Sequence, residues 1–147
     1  MNTKKFFIAF IVVFVVLEVT NYLIHGVILD ATYKDEMYKN VFRPEAEMMG
    51  KMWIGWVLDI IWSYFFVFLF VKGYENKGVA EGLRFGLYIG LFYMLVNSYG
   101  MFIFLPIAYS LALQWFIYGL IQTLILGVIT AAVYKPAVAK SPEPAAA

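Results

Sequence analysis

The sequence predicts an all-α membrane protein, an antiparallel bundle of four transmembrane helices whose second helix extends beyond the membrane. Three observations lead there. Four apolar stretches, at roughly 6–29, 52–71, 83–105 and 111–134, each reach the ~20 residues needed to cross a bilayer. The 147 residues are 63% hydrophobic and only 14% charged, which is more apolar side chain than a soluble domain of this length buries. The links between the second, third and fourth stretches are short, which suits antiparallel neighbours.

The first stretch follows Lys4 and Lys5 and has the outline of a secretory signal. Its apolar run continues past Glu18 to Leu29 and has no small-residue cleavage pattern, so an uncleaved span is expected. A charged segment from Asp30 to Lys51 follows, containing Tyr33-Lys34-Asp35-Glu36 and Arg43-Pro44-Glu45-Ala46-Glu47. Proline suits a first helical turn and carboxylates favour its positive end, so the second helix is expected to start near Pro44 and to stand about three turns proud of the membrane. The link Lys72 to Gly78 is polar and carries glycine, and the link around Pro106 is tight and uncharged. Residues 1–134 therefore form the membrane domain. The Pro- and Ala-rich stretch 135–147 is expected to be a disordered cytoplasmic tail, because it has no face to bury.

Lys4, Lys5, Lys72, Lys77, Arg84, Lys135 and Lys140 fall on the side of the termini, against Lys34, Lys39, Arg43 and Lys51 on the other. The positive-inside rule then places both termini in the cytoplasm. The net charge of +1, with no basic patch, excludes a nucleic-acid partner. The absence of cysteine excludes disulfides, thiol redox chemistry and thiolate metal sites, and a single histidine excludes a bis-histidine haem within one chain.

Two kinds of pattern inside the spans bear on function. Gly78, Gly82, Gly86 and Gly90 recur every fourth residue in the third span, and Gly119, Thr123, Gly127 and Ala131 do so in the fourth. Such stripes let two backbones approach closely, with Gly90 and Gly127 expected at similar depth, or they mediate association with another chain. The second pattern is polar. Glu18, Asn21, Tyr22 and His25 share an arc of about 100° on the first helix. Asp59 lies on one face of the second helix with Trp56 and Ser63. At ~1.5 Å per residue, Glu18, Asp59, Asn97 and Gln122 reach similar depths, one from each helix, while Asn21, His25 and Gln114 form an outer polar group.

A charge at mid-membrane costs about 3 kcal/mol on insertion scales, so it usually has a partner or a role. No lysine or arginine shares the depth of Glu18 and Asp59, and a shared proton is expected for two carboxyls so placed. This layer is either interhelical hydrogen-bond glue or a site for a proton, a cation or a ligand. His25 has no ligand spacing around it, and packing accounts for Met48, Met49 and Met52 as well as copper(I) does, so neither a metal site nor a cofactor is expected. Trp53, Trp56, Trp62 and Trp115 suit belt and core positions.

Asn21-Tyr22-Leu23-Ile24-His25-Gly26, Arg43-Pro44-Glu45-Ala46-Glu47 and Gly82-Leu83-Arg84-Phe85-Gly86, in that order, give the chain an architecture that resembles small bacterial four-span membrane proteins of unknown function. That resemblance implies the architecture and no activity. The sequence contains no catalytic motif or nucleotide loop. The leading expectation is thus a non-enzymatic structural or accessory component, packed as a homo-oligomer or against a larger membrane complex. The alternative is a transporter or channel for protons, cations or a small molecule that uses the polar layer. An enzyme acting on a lipid or quinone would have only His25, Asp30 and Glu45 to draw on.

Overall fold

The computed structural model describes residues 2–135, so all but one residue of the expected tail lies outside the described region. Four long helices dominate: α1 (Thr3–Ile28), α2 (Met52–Lys72), α3 (Val79–Phe104) and α4 (Tyr109–Val133). All four are long and apolar enough to cross a membrane, and no strand occurs among the described residues.

Helix α1 is capped by Asn2, whose Oδ1 accepts the Lys5 N–H at 3.0 Å. Its buried residues Phe6, Ala9, Val13 and Leu17 repeat at helical spacing and form one stripe. That stripe packs against Phe66, Val67 and Phe70 of α2 and Leu126 and Ala131 of α4. Tyr134, just past α4, joins the same core, and its hydroxyl accepts the Asn2 N–H at 3.1 Å, tying the start of α1 to the end of α4. From Tyr22 to Ile28, α1 continues as a π-helix, and the Leu29 N–H reaches back five residues to the Ile24 carbonyl.

The chain from Asp30 to Lys51 is not one projecting helix. It forms short helical pieces at Asp30–Tyr33, Glu36–Tyr38 and Glu45–Met49. Pro44 does open a helix, but that helix ends at Met49, and α2 starts afresh at Met52. The expected three-turn extension of α2 is therefore corrected to a separate five-residue helix. Gly50 weakens helix propagation, and residues 43–51 are exposed, so no packing offsets the cost of nucleating a longer helix. The rest of the segment is anchored, because Tyr38 packs with Ile107, Leu111 and Ala112, and its hydroxyl accepts the Ala108 N–H at 3.3 Å.

The link between α2 and α3 is built around Glu81. This carboxylate is buried and accepts the N–H groups of Glu75 at 2.6 Å and Lys77 at 2.8 Å, which closes the loop onto the first turn of α3. Gly78 precedes α3 at φ 67°, in the left-handed region that favours glycine. Exposed Glu75 bridges Lys77 and Arg84, and their hydrogen bonds hold its carboxyl down to about 2.

Helices α3 and α4 meet along their small residues. A Cβ added at Gly82 would strike the Gly127 carbonyl, one at Gly86 the Thr123 carbonyl, and one at Gly90 the Leu120 and Thr123 side chains. Farther along, a Cβ at Gly119 would meet Met94. The partner of Gly127 is therefore Gly82, two turns away from the expected Gly90. The helix ends set this register: Gly82 is the fourth residue of α3, and Gly127 is the seventh from the end of α4. Helix α4 is the central element, with Gln122, Thr123, Leu126, Thr130 and Ala131 all buried.

Candidate functional site

Between α1 and α2 on one side and α3 on the other, with α4 behind, lies a cavity of about 360 Å³. Two of its walls come from π-helical segments: Ile24 and His25 from the π-helix of α1, and Tyr93 and Met94 from the π-helix Gly90–Leu95 of α3. A π turn holds more residues than an α turn and re-aims the side chains that follow, which is how both helices present polar and aromatic groups to one space.

The polar floor is a connected set of side chains. Asn21 Nδ2 donates to Asp59 Oδ2 at 3.2 Å. The Gln122 amide donates to Asn21 Oδ1 at 2.8 Å and to the Thr20 hydroxyl at 2.7 Å. The Glu18 carboxyl faces Asp59 within hydrogen-bonding reach, while its Oε1 is buried with no partner. Two carboxyls in that position form a hydrogen bond only when one of them holds a proton. Asp59 lines the cavity and Glu18 does not, and no lysine or arginine is among the lining residues.

Near this floor, His25 Nδ1 lies 2.6 Å from the Tyr33 hydroxyl, which also accepts the Trp115 indole N–H at 2.8 Å. Indole only donates, so the arrangement that uses each proton once runs Trp115 to Tyr33 to His25, and this pattern assigns the ring proton of neutral His25 to Nε2. Burial pushes the Tyr33 hydroxyl up to about 12, while the Trp115 hydrogen bond acts in the opposite direction.

Of the residues expected at one depth, the structure brings Glu18, Asp59 and Gln122 into one network with Asn21. Asn97 lines the same cavity without joining that network through any observed hydrogen bond, and its residue is exposed. The outer group separates: Asn21 joins the Asp59–Gln122 network and His25 lines the cavity, but Gln114 does not, and its Oε1 is buried without a partner. Tyr33 and Trp115 occupy the place expected for Gln114 beside His25. Thr20 and Tyr33 escape sequence reading. Thr20 sits beside Asn21 and carried a signal, whereas the approach of Tyr33 depends on how the chain folds back after Leu29. Among the described residues, no group of three or more His, Asp or Glu is placed to hold a metal ion.

No protein-family model, no curated protein and no solved structure matches this chain.

Proposed function

We propose that this chain is a multi-pass membrane protein, an antiparallel four-helix bundle, that carries a proton or small cation through the Glu18–Asp59 pair. One observation carries the reading: a carboxyl pair with no basic partner reaches, through Asp59, a cavity formed by all four long helices. A pair serving only as glue would be sealed, as Thr123 and Thr130 are by bonds within their own helix. Here Asp59 stays open to the cavity, so a proton or cation can reach it and leave.

The pairing of Gly82 with Gly127 and Gly86 with Thr123, with numbers rising on one helix as they fall on the other, supports the antiparallel arrangement. The bond between Asn2 and Tyr134 supports termini at one end of the bundle, and the basic residues favour the cytoplasm for that end. The test is proton flux in reconstituted vesicles. Glu18→Gln and Asp59→Asn are each expected to lower the rate at least tenfold, and rates equal to the parent in both would reduce the pair to glue.

A second reading, an accessory component packed against its own copies or a larger complex, draws on the contrast between α3 and α4. Only 11% of the apolar window of α3 is buried, against 39% in α4, and Phe92, Val96, Ile103 and Phe104 face outward. Native mass in a gentle detergent tests it. A stoichiometric assembly supports this reading, and a lone monomer with nothing bound removes it.

A further inference from the structure

Asp59 borders a second space as well. Between α2 and α3 runs an apolar groove of about 400 Å³, walled by Leu58, Phe65 and Leu69 of α2 and by Ile89 and Phe92 of α3. Leu58, Phe65 and Phe92 are exposed, so the groove opens on the outer surface of the bundle. Three residues, Asp59, Trp62 and Tyr93, line both this groove and the polar cavity, and the two rings lie 6.3 Å apart at an interplanar angle of 50°.

We infer that the groove and cavity together form a binding site for a lipophilic organic cation, its apolar groups in the groove and its charge between Asp59 and the Trp62 and Tyr93 rings. This deepens the carrier reading and rests on it for the transport step only.

The chemistry selects the ligand class. A neutral lipid tail would fill the groove but gains nothing from a carboxyl, and burying that carboxyl unpaired would be costly. An anion meets Asp59 with no lysine or arginine lining either space to offset it. A small hydrated metal ion is served by the polar cavity alone and gains nothing from the apolar walls of the groove. A cation that is itself apolar crosses the lipid-facing groove at little desolvation cost and is then held by the carboxyl charge and the aromatic faces. Both spaces fall in the size range of pockets that enclose drug-sized molecules. The cation and the shared proton compete for the same carboxyl pair. The other titratable groups lining the spaces are His25 of α1 and Tyr93 of α3, while α4 contributes uncharged Gln122 and Trp115.

The probes are tetraphenylphosphonium and tetraphenylborate, ions of nearly equal size and opposite charge, measured by equilibrium dialysis against the full chain in nanodiscs. Saturable binding of the phosphonium alone is expected, weakening as the pH is lowered. Asp59→Asn should weaken it at least tenfold and Asp59→Glu should largely restore it. Trp62→Leu, which leaves the carboxyls untouched, should weaken it several-fold. Each variant is compared at matched monodispersity, so that loss of fold is not read as loss of binding. Equal binding of both ions, or full affinity in Asp59→Asn, would overturn the inference and make the groove a seat for lipid. Proton flux without phosphonium binding also overturns it while leaving the carrier reading intact. Phosphonium binding without flux upholds it and removes the carrier reading.

Discussion

The two halves of α3 lie differently within the bundle. In its first half, Gly82 and Gly86 bring backbone against the carbonyls of Gly127 and Thr123, leaving no room for a side chain. In its second half, the π-helix Gly90–Leu95 and the side chains of Tyr93 and Met94 hold α3 away from α1 and α2, and the cavity occupies the gap. Backbone meets backbone at one end, and the gap at the other leaves Asp59 on the cavity wall. The small residues still seat α3 on α4 through the π-helix, at Gly90 and at Gly119 against Met94, so the site opens between α3 and the α1–α2 pair while the α3–α4 contact is kept.

The comparison breaks most directly at the closed end. Gly86→Val places a branched side chain against the Thr123 backbone, which cannot yield as a side chain would. The expected loss is about 3 kcal/mol or more in a denaturant titration, with the α3–α4 pair separating. A variant as stable as the parent would mean that the two helices slide freely and that the tight contact is not required. Glu81→Gln should come next. It keeps the shape but removes the buried charge that two loop N–H groups point to, so a loss of about 2 kcal/mol is expected, read by the same titration. If the loss is instead negligible, the loop closes without this carboxylate.

The open end should be less sensitive. Tyr33→Phe deletes the hydroxyl shared by His25 and Trp115 and is expected to cost about 1 kcal/mol. The same hydroxyl sharpens the comparison through pH. Its folded value lies above the ordinary value of 10, at about 12, so its contribution is complete below 10 and is lost as the pH rises through 12. Parent and Tyr33→Phe should therefore differ in melting temperature at neutral pH and converge in strong alkali. A constant difference across that window would mean that the hydroxyl does not ionise there.

Much of the fold was legible because membrane-length apolar runs have few other uses, and the four spans fall within a few residues of the helices found. The glycine stripes announced that α3 and α4 would touch, but not at which register. The break at Gly50 was misread because Pro44 and its acids look like the start of any helix, and only the lack of neighbours around 43–51 ends it. In the site, Glu18, Asn21, Asp59 and Gln122 were recognisable as polar residues out of place in apolar helices. Their order within the network was not, since depth along a helix axis says nothing about rotation around it.

The sequence alone determined that four helices form, which residues are too polar for their surroundings, and where backbone can approach backbone, because these follow from local composition and period. Only the tertiary structure decided that Asp59 faces two spaces at once, that Tyr33 and not Gln114 meets His25, and that two π turns line one cavity. Each of these depends on helix rotation, register and pitch, which are set by packing between distant segments and leave no period in the chain.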